Sequence, residues 1–451
     1  MNEDVTKQHP AYLAFKAYVR FFHDKIYYRK TYKINTEEIP ESGIPTLILS
    51  NHQNCLNDPL GILFSFSDRK AHFLTRADVF ALSPVADKFL RSIGLLPSFR
   101  LNYEGAEALK NNKETFKSTE RELVKGRTIV MYPEAGHQDK HWLGYFSLGY
   151  ARLAFEAAEL DDFKTDIIIL PSCNHYSNYF GIQNEFMVKF GTPIHLKDYY
   201  ELYKVKPRTA QRELNKKVRE QISSLMLNIE DLDNYEAIDF LRESYRYEWA
   251  RKKNMKCDDL PSKLLVDKSL CASLESTAHD KPEAMKTVYG QSLELKRLLG
   301  QARIDEKALR SNPKVFPNLA GLIGCLLLFP LWIVSLWPAI LQYIIPTSVC
   351  KSKFPDDRMF EGTFIFALNV LFFIPIFYIL SLILCGVFIN WWIALIYVLF
   401  LPLISLFAWY WRKWFLRCLK NLRYAIGKNK GTIKKAKELR NNIFDQLNKI
   451  L

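Results

Sequence analysis

The sequence lacks charged side chains over two long stretches. No Asp, Glu, Lys or Arg lies between Val315 and Cys350, or between Thr363 and Trp411. Uncharged runs of this length are incompatible with the core of an ordinary soluble domain, and a helix needs only about 20 apolar residues to cross a bilayer. Both stretches therefore predict membrane segments.

Paired cysteines and an N-terminal apolar run are also missing. The eight cysteines are scattered, and no two of them form a Cys-x-x-C pair. This distribution argues against a disulfide framework and a zinc site, so we expect neither a metal nor a bound cofactor. Because the N-terminus has no continuous apolar segment typical of a signal peptide, we expect the polar part of the chain to be cytoplasmic.

Positive charge is concentrated at the C-terminus. Of the net charge of +14, residues 412–451 supply +10, from 12 Lys and Arg against Glu438 and Asp445. A basic stretch directly after a membrane segment indicates a cytoplasmic tail beside anionic lipid headgroups. Nucleic acid is the competing partner for such a tail, but the adjoining membrane segment makes it the weaker alternative, and we expect no nucleic acid partner.

Residues 1–43 contain a candidate interfacial helix. Within residues 11–33, apolar side chains recur at helical spacing with basic residues on the flanks, at Tyr12, Phe15, Val19, Phe22 and Ile26. An amphipathic helix of this kind can lie in the lipid interface or pack against its own domain. The spacing does not separate these two arrangements.

Residues 44–225 have the pattern of an α/β domain. Helical stretches at 105–124 and 147–160 lie among short runs typical of β-strands, at 46–52, 71–75, 128–134, 166–171 and 185–191. Such alternation predicts a mixed, largely parallel sheet flanked by helices. The loops that follow the strands of such a sheet are where sites are usually built.

The rest of the chain is predicted to be helical. Residues 226–312 are charged and poor in glycine, and we interpret them as a helical connector. The uncharged run at 363–411 divides naturally at 386–390 and fits a hairpin of two spanning helices. Residues 412–451 form the basic tail.

The membrane segment at 313–350 is harder to interpret. It is too long for one straight helix and barely long enough for two, and Pro330 and Pro338 interrupt it. If every basic segment lies on the cytoplasmic side, this segment must return to the side from which it entered. We therefore predict a re-entrant segment or short hairpin. Three crossings are the alternative, and they would put the tail on the face opposite the α/β domain.

The segment SNHQNCLNDP at 50–59 is the strongest candidate for a catalytic site. It follows a predicted strand, and the Asp-Pro pair suits a helix start, so a curled loop can bring His52 back over Asp58. A carboxylate has about four acceptor sites, so Asp58 can cap the helix and still hold the Nδ1–H of His52. That arrangement leaves Nε2 as a general base. Cys55 as a nucleophile is a weaker alternative, and we expect its thiol to pack beneath the loop.

Three further blocks accompany this loop. They are GLLPSFR at 94–100, TIVMYPEAGH at 128–137 and ILPSCNHYSNYF at 169–180. We expect the first to end a helical stretch, the second to end a strand in a turn, and the third to end a strand at Pro171. The four blocks, in this order, resemble those of the glycerolipid acyltransferase superfamily, which includes lysophosphatidate and glycerol-3-phosphate acyltransferases. The resemblance covers roughly residues 11–225.

The resemblance implies a role for each matching position. His52 deprotonates the acceptor hydroxyl and Asp58 orients it. Glu134 cannot itself bind an anion, and we expect it to position a cation such as Arg100 by a salt bridge. The phosphate or other anionic head of the acceptor is expected to bind among Arg76, Arg100, the Glu134–Gly136 turn, His137 and Lys140.

The third block departs from the family pattern, because Ala135 separates Glu134 from Gly136. The implied reaction moves a fatty acyl group from acyl-CoA or acyl carrier protein to a lysophospholipid or glycerol 3-phosphate at the membrane. The departure makes a lysolipid without phosphate a second candidate acceptor. Two different functions are compatible with the same blocks, a phospholipid-dependent transacylase and a non-catalytic lipid-binding scaffold.

Overall fold

The computed structural model describes residues 8–98, 114–134, 136, 140–355, 357 and 359–451, without the side chains of residues 76, 78 and 82. The chain divides into two compact units. The first comprises Met1–Asn228 together with Asp357–Thr363, and the second comprises Ile229–Asp356 together with Phe364–Leu451.

The first unit is built on an eight-stranded mixed sheet. Its strands are β1 (Tyr28–Ile34), β2 (Thr46–Ser50), β3 (Ala71–Arg76), β4 (Leu95–Ser98), β5 (Thr128–Met131), β6 (Ile168–Tyr176), β7 (Asn184–Phe190) and β8 (Ile194–His195). The order is β1-β7-β6-β2-β5-β3-β4, with β8 also paired to β6. Only the pairs β6–β7 and β6–β8 are antiparallel, so the sheet is largely parallel, as predicted.

Helices flank the sheet. They are α1 (Pro10–Phe21), α2 (Asn57–Leu63), α3 (Pro84–Ser92), α4 (114–124), α5 (Gly149–Glu159), α6 (Tyr200–Val205) and α7 (Pro207–Leu225). All five residues of β2 are buried, because β2 lies between β5 and β6. On one face of the sheet, alternate strand residues such as Leu47 and Ile129 join a core with Tyr150 of α5 and Leu214 of α7.

The N-terminal segment is only partly helical. Helix α1 ends at Phe21, and after one π-helical turn the chain enters β1, which pairs in parallel with β7. The predicted helix over 11–33 is therefore wrong beyond residue 21, where the alternating residues of β1 pair with a neighbouring strand instead. The apolar stripe of α1 packs inward: Phe15 contacts Phe89, and Lys16 donates to the carbonyl oxygen of Phe66.

Two blocks identified in the sequence also differ locally from expectation. Residues 95–98, interpreted as the end of a helical stretch, form β4 beside β3. Strand β6 does not end at Pro171 but continues through Tyr176. Pro171 removes one N–H donor from this strand, while its carbonyl oxygen still accepts from the backbone N–H of Gly191.

The second unit is helical throughout its described residues. Its helices are α8 (Tyr235–Lys252), α9 (Leu260–Asp280), α10 (Pro282–Ala302), α11 (Glu306–Ser311), α12 (Val315–Leu327), α13 (Phe329–Lys353), α14 (Phe360–Phe388, of which the first residues belong to the first unit), α15 (Trp391–Gly427) and α16 (Gly431–Ile450). A mixed sheet with flanking helices followed by a helical region confirms the predicted fold class.

Three of these helices are long and apolar enough to cross a membrane: α13, α14 and α15. Helices α14 and α15 meet at residues 389–390, inside the predicted break. Helix α13 is preceded by the shorter apolar helix α12 and contains Pro338. The chain is thus associated with a membrane through its C-terminal half, while the number of crossings and the side on which residues 412–451 lie stay predictions.

Part of the positive charge of residues 412–451 is neutralised within the second unit. Arg417 and Lys420 both contact Asp305, at 2.9 and 3.1 Å. Arg440 donates two hydrogen bonds to one carboxylate oxygen of Glu306. These pairs leave fewer basic side chains for lipid headgroups than the sequence count suggests.

Candidate active site

The candidate site lies at the carboxyl end of β2. The chain leaves the strand at Ser50, curls through residues 51–56 and enters α2. This loop brings Nδ1 of His52 to 2.7 Å from Oδ2 of Asp58. An ionised carboxylate only accepts hydrogen bonds, so Nδ1 carries the proton. The imidazole is partly exposed, at 20%, whereas Asp58 is fully buried.

Asp58 accepts four hydrogen bonds, three of them on Oδ2. Oδ2 also accepts from the backbone N–H groups of Gln53 and Asn54, at 2.7 and 2.8 Å. The hydroxyl of Tyr176 donates to Oδ1 at 2.5 Å. Asp58 therefore does not cap α2, whose N-cap residue is Leu56. Instead it stabilises the preceding loop, because one of its oxygens accepts from both His52 and the two backbone N–H groups.

Tyr176 reaches Asp58 because β6 runs beside β2 and extends past Pro171. The tyrosine is buried, and its ring stacks on Phe186 of β7. Burial, together with the negative charge of Asp58, raises the pKa of Tyr176 well above its ordinary value. The hydroxyl thus remains a hydrogen-bond donor throughout the physiological pH range.

The imidazole of His52 is also held from one face. The ring of Tyr132, which follows β5, stacks on it with centroids 4.2 Å apart and planes inclined by 23°. Burial raises the pKa of Tyr132 well above its ordinary value, so this ring is neutral. One edge of the imidazole is thus fixed by Asp58 and one face by Tyr132, which restricts its rotation.

Glu134 joins two loops instead of lying on a surface. Its Oε1 accepts from the backbone N–H of His52 at 3.0 Å, and its Oε2 accepts from the backbone N–H of Gly144 at 2.8 Å. Burial raises the pKa of this carboxyl group, and the two backbone donors oppose that effect. The salt bridge expected with Arg100 lies outside the described residues. In the described residues, the carboxylate of Glu134 links the His52 loop to residues 143–144, and we call this link the Glu134 clamp.

The remaining predicted site residues are only partly described. Arg100 and His137 lie outside the described residues, and Arg76 is the last residue of β3, without a described side chain. Gly136 and Lys140 are exposed, and the carbonyl oxygen of Lys140 accepts from the side chain of Gln53. The predicted anion-binding residues therefore stay predictions.

Cys55 is buried within the loop and has a left-handed backbone conformation, with φ of 36°. Within the described ranges, no group of three or more His, Cys, Asp or Glu side chains is placed to hold a metal ion.

Sequence reasoning missed three residues that shape the site. Tyr132 and Tyr176 lie inside blocks that were identified, yet an aromatic residue beside a strand is common in any core. Asn51 exchanges two hydrogen bonds with the backbone of Asn174, at 2.7 and 3.0 Å, which ties the loop to β6. The sequence could have indicated Asn51, because it lies between the end of a buried strand and His52.

A second His–Asp pair shows that this contact alone does not define a site. Nδ1 of His195 lies 2.6 Å from Oδ2 of Asp166, as close as the pair in the candidate site. However, Asp166 precedes β6, and His195 of β8 lies opposite Ile168 at the start of β6. The pair therefore lies at the amino end of the parallel strands. Its imidazole is half exposed. Sites in such sheets form at the carboxyl ends.

Comparison with known proteins identifies the region that contains the candidate site. A family model described as Acyltransferase matches residues 30–174. Glycerol-3-phosphate O-acyltransferase 2 of Saccharomyces cerevisiae is 28% identical over 146 residues, which are 32% of this chain and 19% of the yeast protein. An uncharacterized acyltransferase of Schizosaccharomyces pombe is 27% identical over 156 residues, 34% of this chain and 22% of that protein. The chain thus spans about a fifth of the length of the curated relatives it matches.

The crystal structure of the 1-acyl-sn-glycerophosphate (LPA) acyltransferase PlsC from Thermotoga maritima aligns with 46% of this chain and 78% of its own. Its sequence identity is 14% and its TM-score 0.32. The family match and the relatives agree on the same region, which carries His52, Asp58 and Glu134. The predicted resemblance to glycerolipid acyltransferases is thus confirmed over residues 30–174 of the α/β unit, which match the Acyltransferase family.

Proposed function

We propose that the protein transfers a fatty acyl group from acyl-CoA or acyl carrier protein to a hydroxyl of lysophosphatidate or glycerol 3-phosphate at a membrane surface. The observation that carries this proposal is the pair of His52 and Asp58, 2.7 Å apart, with the carboxylate fully buried and the imidazole partly exposed. A buried carboxylate that fixes one ring nitrogen is the arrangement that a general-base histidine requires. The related yeast enzyme, by its name, acylates glycerol 3-phosphate.

The reaction proceeds by direct attack. The acceptor hydroxyl oxygen attacks the thioester carbonyl carbon while Nε2 of His52 takes the hydroxyl proton. The tetrahedral intermediate then collapses, the carbon–sulfur bond breaks, and the imidazolium returns the proton to the departing thiolate. The products are an ester and a free carrier thiol. Asp58 keeps the proton on Nδ1 throughout, so no covalent acyl-enzyme and no metal are needed.

The anionic head of the acceptor is proposed to bind beyond β3 and β5. Guanidinium and ammonium groups pair with phosphate, and a glycine turn after a strand can present N–H groups to an anion. The groups that supply this binding are Arg76, Arg100, the turn at Gly136, His137 and Lys140. This assignment rests on the family resemblance and on the position of these residues after neighbouring strands.

Acyl transfer by membranes that contain the protein tests the proposal. Labelled acyl-CoA and acyl carrier protein are offered with glycerol 3-phosphate and a panel of lysolipids, with and without phosphate. Wild type should acylate an acceptor with a phosphate, and His52→Ala should lose at least about 10²-fold, the usual minimum for a removed general base.

His195→Ala is the matched control, because it removes a second histidine whose Nδ1 lies within hydrogen-bond distance of an aspartate, at the opposite end of the parallel strands. It should retain wild-type activity. Full activity of His52→Ala would overturn the general-base assignment. Transfer only from a phospholipid donor would support a transacylase, and no transfer at all would favour a lipid-binding scaffold.

A further inference from the structure

A short segment far along the chain packs on the catalytic loop. Residues 359–363 lie well beyond the region matched by the family model, yet they belong to the first unit. We call them the 359–363 strap. Met359 and Gly362 are buried, although they lie at the start of an apolar helix.

Thr363 accepts a hydrogen bond from the loop. The backbone N–H of Leu56 donates to its Oγ1 at 3.0 Å. Leu56 immediately precedes α2, so this N–H belongs to the turn that carries Asp58 below His52. The N–H groups of Gln53 and Asn54 go to Asp58, and that of Asn57 goes to the carbonyl oxygen of Asn54. At Leu56 the turn is thus held by a side chain that lies 307 positions further along the chain.

Gly362 lies against the same turn. A Cβ at this position would stand 2.9 Å from Oδ1 of Asn54 and from the hydroxyl of Tyr27, and 3.1 Å from Nδ2 of Asn57. Real Cβ atoms are almost never this close to a neighbour, so a Cβ here must displace the side chains of Asn54 and Tyr27. Asn54 is also the residue whose N–H donates to Asp58.

We infer that the 359–363 strap is a positioning element of the acyltransferase site, which holds residues 54–57 so that Asp58 and His52 keep their geometry. Thr363 acts through the N–H of Leu56, and Gly362 acts by allowing the backbone to approach Asn54. This role rests on the proposed function of His52, but it concerns residues outside the family blocks. It also implies that residues 1–228 alone do not form a complete site.

Three variants and two readouts test the inference. Thr363→Val removes the acceptor while keeping the shape, and Thr363→Ser restores it. Gly362→Ala adds the colliding Cβ. The first readout is kcat and KM for the best acceptor. The second is the alkylation rate of Cys55, which is buried in the same loop, measured by peptide mass spectrometry on intact membranes with Cys257 as the internal reference.

Thr363→Val should lower kcat about tenfold with KM changed less than about twofold, because the part-buried N–H of Leu56 loses its acceptor. Gly362→Ala should have the same effect, because the added Cβ displaces the side chain of Asn54. Each should also raise the alkylation rate of Cys55 about tenfold relative to that of Cys257. Thr363→Ser should behave as wild type. Gly290→Ala is the control glycine, since a Cβ there meets nothing within 4 Å.

Wild-type kcat and Cys55 alkylation in both Thr363→Val and Gly362→Ala would overturn the inference. If Thr363→Val does not accumulate in membranes, Gly362→Ala decides by the same two readouts. If wild type itself transfers no acyl group, the proposed function fails while the alkylation rates still decide whether the strap holds the loop.

Discussion

The hydroxyl of Tyr176 donates to Oδ1 of Asp58 at 2.5 Å, across 118 positions of sequence. The other carboxylate oxygen holds His52 and two backbone N–H groups. Tyr176 is therefore the group that fixes the second oxygen and, with it, the plane of the carboxylate. Because a hydrogen bond to a charged acceptor contributes about 1.5–3 kcal/mol, its loss should be measurable in catalysis.

Tyr176→Phe should lower kcat about 10-fold and leave KM within about 2-fold of wild type. The phenyl ring keeps the stack on Phe186, so the variant removes only the donor. Asp58 then loses its orientation, and His52 is aligned with the acceptor hydroxyl for a smaller fraction of the time. Steady-state kinetics with one acceptor at saturating acyl donor measure both constants.

Tyr150→Phe is the control for that variant. Tyr150 is equally buried in the same unit, and its hydroxyl donates to the neutral side chain of Asn215 at 2.9 Å. It should lose a similar amount of stability without a change in kcat. Equal kinetic losses in the two variants would show that Tyr176 supports the fold alone.

Asp58→Asn should reduce kcat by at least about 10²-fold, because an amide cannot accept all four hydrogen bonds and can impose the wrong tautomer on His52. If the two residues act as one unit, the double variant His52→Ala with Asp58→Asn should be no slower than His52→Ala alone. The check is a double-mutant cycle on kcat/KM. If the double variant loses the product of the two single-variant losses in kcat/KM, His52 and Asp58 do not act as one unit.

Glu134→Gln should slow turnover about 10-fold by loosening the clamp on the His52 loop. A glutamine can accept from one of the two backbone N–H groups, but its amide nitrogen would then face the other. Gly144→Ala should act in the same direction, since its Cβ would stand 2.9 Å from Oε2 of Glu134. Kinetics of both variants beside wild type measure the effect.

Gly149→Ala is the matched control for the clamp, because its Cβ would meet only the hydroxyl of Ser147 at an ordinary 3.8 Å. It should have wild-type turnover. Unchanged turnover in Glu134→Gln would limit Glu134 to a structural role.

The sequence alone predicts those parts of the site whose residues lie close together along the chain. His52 and Cys55 lie within one loop, and Asp58 lies in the first turn of the helix that follows it. The apolar run before His52 and the Asp-Pro pair predict the turn that brings His52 and Asp58 together. The α/β fold followed from strands and helices whose patterns are each contained in a few residues. The acyltransferase family followed from four blocks in a fixed order.

The parts that could not be predicted depend on contacts distant in sequence. Tyr176 reaches Asp58 only because β6 continues through Pro171, and a proline normally predicts the end of a central strand. Thr363 accepts a hydrogen bond from Leu56, although its sequence position predicts the start of a membrane helix. Residues 28–33 fell within the candidate helix at 11–33, whereas pairing with β7 makes residues 28–34 a strand.

A pair of carboxylates on α4 and α5 predicts a pH dependence of stability that is independent of catalysis. Burial and a hydrogen bond with Glu156 raise the pKa of Glu120 to about 7, from an ordinary 4.5. A raised pKa in the folded state means that the stabilisation is present below pH 4.5 and is lost as the pH rises to about 7.

Glutamine mimics the protonated acid and does not titrate. Glu120→Gln should therefore match wild type near pH 4.5, melt about 2–5 °C higher at pH 7, and keep a constant advantage above that pH.

Thermal unfolding in detergent at half-unit steps from pH 4.5 to 8.5 measures this difference, with Glu114→Gln as the control on an exposed position of the same helix. The control should follow the wild-type curve at every pH. A pKa that is raised in the folded state must make the free energy of unfolding depend on pH. An advantage of Glu120→Gln that is constant over the range, or that shrinks as the pH rises, would therefore contradict the raised pKa of Glu120.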